Sequence, residues 1–317
     1  MNKLPILIIG FTRVDGIQNL LNSLQIEQIS ELYVAIDGPR SNIDSEAQIE
    51  ILSIICEFAN RSQVPLSLWH RKSNLGVAVS VITAVDWFFS NVTVGAILED
   101  DLVIGSSFIP YIVKTLPFLE EHEDVLLISG NQFLPNDDVL SLRATHYPQI
   151  WGWATTKNKW LVMRNGLLSA QRFELRDFLS PRRSFWAIGS IRALNGTIDT
   201  WDLPLAKYMK NESKICLIPP VNLVQNNGFD QFASHTVKDQ FPLGEPIIEL
   251  STDSLIVDPF ENGDIELSDN QLEEQVFGIR LKHLFSLPIG LLQFIGKKKN
   301  TPLKLRIHNA NYLFPRK

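Results

Sequence analysis

Two cysteines are all that the 317 residues contain, too few for a disulfide framework or a four-thiolate metal site. Each sits in an apolar stretch, Ile54-Ile55-Cys56-Glu57-Phe58 and Lys214-Ile215-Cys216-Leu217-Ile218, and both read as buried thiols. Glycine and proline number 17 each, which excludes collagen-like and low-complexity chains. No stretch reaches the roughly 20 uninterrupted apolar residues of a membrane-spanning helix. Gly-x-Gly-x-x-Gly, a Walker A loop, His-Glu-x-x-His, Gly-x-Ser-x-Gly and Cys-x-x-Cys are all missing, and the chemistries that depend on them lose their usual signatures. Basic charge is also scarce: Lys+Arg 29 against Asp+Glu 35 gives −6. That balance argues against a general nucleic-acid binder, which must neutralise phosphates.

What is present is an ordinary globular composition, 45% hydrophobic and 20% charged, long enough for one large or two smaller domains. The charge is unevenly spread. Residues 275–317 carry nine Lys/Arg and no Asp or Glu, which leaves 20 basic against 35 acidic residues, a net of −15, before them. Within this tail the apolar run Leu284–Ile295 precedes Lys297-Lys298-Lys299. That pairing suits either shallow docking on anionic lipid or a core helix with a solvated end. The first residues are basic then apolar, but the run ends quickly with no small-residue cleavage site, so Leu4–Ile9 reads as a strand and not a signal peptide. The expected location is cytoplasmic, with peripheral attachment to the inner face of the plasma membrane through the tail, and the Asn-x-Ser/Thr triplets at Asn60, Asn91, Asn195 and Asn211 are then chance matches.

Leu4–Ile9 is a continuous apolar run of the kind buried on both faces of a sheet. A helix is expected over 15–25, where Ile17, Leu20, Leu21 and Leu24 share one face and Asp15 is placed to cap. Then come a strand at Leu32–Ile36, a helix through Ser45–Asn60, a strand at Leu66–Trp69, a helix over 76–90 and a strand at Val94–Leu98. Strands alternating with helices of this length specify an α/β fold with a mainly parallel sheet and flanking helices, and ligands bind such sheets at the carboxyl ends of the strands. Three polar clusters fall there: Thr12-Arg13, Asp37-Gly38 and Glu99-Asp100-Asp101.

The acidic triplet is the strongest local signal. Three consecutive carboxylates repel one another and need solvent, hydrogen bonds or a cation. A hard divalent ion, Mn²⁺ or Mg²⁺, shared between Asp101 and substrate phosphates answers that need, and a solvated acidic turn is the plain alternative. Arg71-Lys72-Ser73-Asn74-Leu75-Gly76 offers cations and a helix N-terminus suited to phosphate, or is only a surface turn. Asp199 and Asp202 flank Trp201 and are candidate general bases, or helix caps. His235, in a glycine-containing polar segment, is a candidate ligand or lid residue, or a structural histidine. Five of the seven tryptophans lie between residues 151 and 201, as a stacking platform for a sugar or base or as core. The polar segment 249–274 reads as an acidic linker or lid.

Taken in order, Ile6–Ile9 with Thr12-Arg13, Ala35-Ile36-Asp37-Gly38, Asn74-Leu75-Gly76, Ile97–Leu102, Gly152-Trp153 and Trp201-Asp202 resemble a nucleotide-sugar glycosyltransferase of the GT-A fold. The likeness is greatest to the N-acetylglucosaminyltransferase I type, whose aspartate motif is also Glu-Asp-Asp. It runs from about residue 4 to 237. The resemblance implies a domain over 1–248, with a nucleotide half over about 1–104 and an acceptor half over about 105–248; the acidic linker or lid over 249–274 and the basic tail over 275–317 are read from composition, and the tail has no counterpart in that family. It further implies that Thr12, Arg13, Asp37, Arg71, Asn74, Glu99, Asp100, Trp153 and His235 surround the donor, that Asp101 holds the metal, and that Asp202 deprotonates the acceptor. A second aspartate expected after Asp202 is Leu203 here, which leaves Asp199 as a rival base. The implied donor is a nucleotide-diphosphate sugar, UDP-linked by preference, and the implied partner a carbohydrate or lipid-linked acceptor in surface glycan or polysaccharide biosynthesis. Two other readings remain: a sugar-nucleotide pyrophosphorylase, which would want a glycine-rich loop where Gly10-Phe11-Thr12-Arg13 stands, and a non-catalytic carbohydrate-binding protein.

Overall fold

The computed structural model describes residues 3–133, 140–170, 177, 181–228, 246–260, 265–279, 302–311 and 315. In chain order its regular elements begin with β1 (Leu4–Gly10), α1 (Val14–Ser23), β2 (Ile29–Ile36), α2 (Asn42–Ser62), β3 (Leu66–His70), α3 (Val77–Asn91) and β4 (Val94–Glu99). They continue with β5 (Leu102–Ile104), α4 (Phe108–Glu121), β6 (Val125–Ser129), β7 (Arg143–Thr145), β8 (Trp153–Thr156), α5 (Lys157–Ser169), α6 (Pro181–Leu194) and α7 (Asp202–Asn211). Last come β9 (Ile215–Ile218), β10 (Val224–Asn226), α8 (Ile265–Gln271) and α9 (Leu303–Asn311).

Eight strands form one sheet in the order β3-β2-β1-β4-β8-β6-β9-β7, and β5 pairs with β10 in a small antiparallel ribbon. Strands β3, β2, β1 and β4 are parallel, β8 runs against both β4 and β6, β9 is parallel to β6, and β7 closes the far edge antiparallel. The sheet is therefore mainly parallel with helices on both faces, an α/β Rossmann-like architecture. Alternation along β1 divides the core: Leu4, Ile6 and Ile8 pack with residues of α1, α2 and α4, whereas Leu7 and Ile9 pack with those of α3, α5 and α9. Each such buried side chain contributes about 2 kcal/mol.

Local boundaries follow from caps and faces. Ser41 accepts a hydrogen bond from the Asp44 amide and starts α2 earlier than its apolar periodicity suggests. In α1 the expected cap is displaced: Arg13 occupies the cap position, and Asp15 lies inside the first turn, where a negative charge suits the helix's positive end. One thiol departs from expectation. Cys216 is buried on β9, but Cys56 is exposed, because the buried stripe of α2 runs through Ile51, Ile55 and Phe58 and leaves the next residue facing solvent. A neighbour in sequence is about 100° away around a helix.

The described parts of the two C-terminal segments pack against the rest of the fold. Glu249 accepts hydrogen bonds from Ser106 and Ser107 at the start of α4, and Asp269 is buried between Thr145, His146 and Lys210. Arg182 of α6 pairs with Glu273 and Glu274. In the basic tail, α9 buries Leu303, Ile307 and Ala310 in the same core as α3. The run 284–299 lies outside the described residues. No described helix is long and apolar enough to cross a membrane.

Candidate active site

Because β1, β2 and β4 are parallel neighbours, the residues that follow them share one rim of the sheet. The Asp100 amide donates to the Ile9 carbonyl, extending the ladder one step, and Asp100 Oδ2 accepts the Phe11 amide at 2.7 Å. One carboxylate thus fixes the turn that carries Thr12 and Arg13. Gly16 lets the first turn of α1 press onto this corner, since a Cβ there would stand 2.0 Å from the Asp100 carbonyl oxygen.

Asp101 is partly exposed at the rim. Arg13 Nη1 lies 2.9 Å from Asp101 Oδ2, with the two side chains 25% and 21% exposed. Arg13 Nη2 reaches the Gly228 carbonyl at 3.4 Å, and the Asn227 amide donates to the Asp101 carbonyl. The segment after β10 therefore lies directly against this pair. Burial, then the charges of Asp101, Asp100 and Asp202, pushes Glu99 up to about 8, with Arg13 opposing. Burial and Asp101 push Asp100 up to about 7, with the Phe11 amide and Arg13 opposing. Three consecutive carboxylates beside the Arg13 guanidinium, with the Asp202 charge also acting on Glu99, leave a site that favours added positive charge. Among the described residues, no three His, Cys, Asp or Glu side chains converge as a metal cage. A divalent ion here would need substrate oxygens as well as Asp101, as hard ions bound with phosphates commonly do.

Asp37 is occupied by its own loop. Its carboxylate accepts from the amides of Gly38, Leu75 and Gly76 and from Asn74 Nδ2 at 3.0–3.2 Å. Burial raises its pKa, while these amides and the Arg71 charge pull it down. Asp37 thus ties the ends of β2 and β3 together, and Asn74 also donates to the Gly38 carbonyl. Arg71, expected to face the donor, turns inward: it is 3% exposed and its guanidinium stacks 4.0 Å from the Trp69 ring centroid. It donates to Ser80 Oγ, the Ser80 carbonyl and Thr83 Oγ1, and burial pushes its pKa down to about 10. The cation is enclosed by α3 and an indole, and its charge acts on Asp37 at the rim.

The tryptophans resolve similarly. Trp153, expected at the donor, is 1% exposed and packs with Trp160 and Trp201 at centroid distances of 6.2 and 5.8 Å. Trp186 stacks on Tyr147 in a buried cluster. Of the five, Trp151 alone keeps a half-exposed face, edge-on to Phe133 beside the end of β6.

Asp199 and Asp202 have different surroundings. Asp199 accepts the Val77 amide at 2.7 Å and the Ala78 amide at 3.3 Å, capping α3 from a distant segment. Asp202 opens α7, accepts from Thr200 Oγ1 and the Leu203 amide, and is near enough to Glu99 to raise its pKa. Thr12 is half-buried on the β1 turn. His235 lies outside the described residues. Three site residues escaped sequence reading. Gly16 carried one faint signal, a glycine inside a helix at a cost of about 1 kcal/mol relative to alanine. Gly228 and Arg306 carried none, since each meets the rim from more than 200 residues away in sequence.

No family model and no curated protein matches the chain. Among solved structures it is similar to S. aureus TarS 1–349, with 12% identity over 60% of this chain and 55% of that chain and a TM-score of 0.34. It is also similar to UTP-bound UGPase from Acinetobacter baumannii, with 8% identity over 71% and 88% of the two chains and a TM-score of 0.37. A UDP-glucose pyrophosphorylase complexed with UDP-glucose gives 8% identity over 69% and 90% and a TM-score of 0.34. The chain spans about half the length of the TarS fragment. At these values the likeness is distant, and the functional reading rests on the rim itself.

Proposed function

We propose that the protein is a metal-dependent inverting glycosyltransferase that moves a sugar from a nucleotide diphosphate to an acceptor hydroxyl. The observation that carries this reading is the placing of Glu99, Asp100 and Asp101 at the strand-end rim with Arg13 paired to Asp101, where the Asp202 charge is near enough to act on Glu99. Mn²⁺ or Mg²⁺ held by Asp101 and the donor's diphosphate would offset charge on the leaving group.

The chain's own residues supply the remaining steps. Arg13 approaches the diphosphate and Asp100 holds its turn in place. Asp202 takes the proton of the acceptor hydroxyl as its oxygen bonds to the anomeric carbon. The bond from that carbon to the diphosphate breaks on the opposite face, so the configuration inverts in a single displacement. Asp199 is set aside as the base because its carboxylate caps α3. Trp151 offers the acceptor a face to stack on. The donor favoured is a UDP-sugar and the acceptor a carbohydrate or lipid-linked glycan, with Lys297–Lys299 drawing the enzyme to anionic lipid.

Incubation with a panel of sugar nucleotides, with Mn²⁺ or with chelator, tests the reading. Metal-dependent transfer, or slow hydrolysis without acceptor, is the expected result. Pyrophosphate-dependent cleavage would instead identify a pyrophosphorylase, and neither binding nor turnover of any sugar nucleotide would leave a non-catalytic carbohydrate binder.

A further inference from the structure

One side chain links the C-terminal helix to the nucleotide end of the rim. Leu303, Ile307 and Ala310 bury the inner face of α9 and fix its backbone. Arg306, on the same helix, extends toward the loop between β3 and α3. Its Nη2 donates to the Leu75 carbonyl at 2.8 Å, and its Nη1 lies 3.5 Å from Asp199 Oδ1. Asp199 in turn holds the Val77 and Ala78 amides. From the other side, Asp37 holds the amides of Leu75 and Gly76 and the Asn74 side chain. The stretch Asn74–Ala78 is thus held by two carboxylates, Asp37 over Asn74–Gly76 and Asp199 over Val77 and Ala78, and Arg306 ties Asp199 to the Leu75 carbonyl. At Gly76, φ is 78°, and a Cβ would stand 2.3 Å from Asp199 Oδ2, so the backbone there closes tightly on the carboxylate.

We propose that Arg306 is a positioning residue for the donor nucleotide, with α9 holding the Asn74–Gly76 loop, and through it the Asp37 edge of the rim, in the shape that receives a nucleoside diphosphate. The proposal rests on the nucleotide-sugar reading above. The geometry calls for a guanidinium, because two diverging donors must serve a carbonyl and a carboxylate at once, whereas an ammonium is a single point charge. The packing of α9 does not depend on it, since the Arg306 side chain remains 27% exposed and the helix is anchored by apolar residues.

The test uses the full chain and UDP with Mn²⁺ as the probe, with GDP, CDP and dTDP alongside. Isothermal titration is run on the parent, Arg306→Gln, Arg306→Lys and, as a control on the exposed face of α9, Lys304→Gln. Amide hydrogen exchange over residues 74–78 is read in the same proteins. The expected result is a nucleotide dissociation constant about fivefold higher in Arg306→Gln, an intermediate value in Arg306→Lys and no change in Lys304→Gln. Exchange at residues 75–78 should quicken in Arg306→Gln while the rest of the fold keeps its protection, a local change that general destabilisation would not give. If the parent binds a nucleotide and Arg306→Gln binds it equally well, the role of Arg306 is overturned and the nucleotide reading stands. If the parent binds none of the four, both fall together.

Discussion

Two glycines at the rim should respond to alanine in opposite ways. At Gly38 an added Cβ would lie 2.2 Å from the Ser73 carbonyl carbon and 2.5 Å from its nitrogen. Backbone pinned on one side by β2 and on the other by the Asp37 hydrogen bonds has no easy way to retreat. Overpacking of this kind costs about 3 kcal/mol. With an unfolding entropy of about 2 cal/mol/K per residue, that lowers Tm by roughly 5 °C in a chain this long. At Gly228 the atoms met are side-chain ends: Asp101 Oδ2 at 2.3 Å, Arg13 Nη1 at 2.5 Å and Asn226 Oδ1 at 2.9 Å. These swing aside, and the loss is one partly exposed ion pair, about 1 kcal/mol or less. Function should invert the order, because the groups displaced by Gly228→Ala are those assigned to the diphosphate. Gly228→Ala should melt within about 2 °C of the parent yet lose at least about tenfold in donor-dependent turnover. Thermal unfolding and initial rates on the two variants decide the matter. A Gly38→Ala protein as stable as the parent, or a Gly228→Ala protein with parental turnover, would refute the reasoning.

Other predictions concern the base, the core and the acid limb. Asp202→Asn should abolish transfer while nucleotide affinity, measured by titration, stays within about twofold; Asp199→Ala should instead lose a helix cap worth about 1 kcal/mol in urea unfolding. Trp153→Ala should destabilise the fold by about 4 kcal/mol, since its indole fills core rather than rim. Burial alone would raise the Asp269 carboxyl, but hydrogen bonds from His146, Lys210 and Thr145 hold it below its ordinary value. The unfolded chain therefore binds the proton first, and this contribution is present above the unfolded pKa of about 4 and fades as the pH falls through the folded one. Asp269→Asn should lower stability at pH 7 by about 3 kcal/mol and flatten the acid limb of the stability curve. For the membrane, replacing Lys297–Lys299 with glutamine is the clean variant, because deleting the tail would also remove the core residues of α9; the triple variant should lose cosedimentation with phosphatidylserine vesicles, and equal binding would defeat the idea.

The first half of the fold is legible in the residues because each of its strands is a short apolar run ended by a polar cluster. Parallel pairing then places those clusters side by side. Glu99, Asp100, Asp101 and Arg13 could be named for that reason. What residues alone could not show is which way a side chain turns once the rim is reached. Arg71 and Asp37 sit at the right strand ends, yet one is drawn under Trp69 and the other is filled by backbone amides. The tryptophan cluster was visible, but its division into three mutually packed indoles, Trp186 buried against Tyr147 and the partly exposed Trp151 is set by tertiary packing among several elements. In the acidic segment and the basic tail, net charge describes a solvated face, and the buried positions Asp269, Glu273, Leu303 and Ile307 become visible only through their tertiary partners.

The central claim is that Asp101 carries the cation on which sugar transfer depends. It is tested most directly by the rate at which Asp101→Ala turns over the accepted sugar nucleotide in saturating Mn²⁺, compared with the parent under the same conditions. A fall of at least about 100-fold, in a protein whose melting temperature is unchanged, is the predicted result; parental turnover in Asp101→Ala would contradict it.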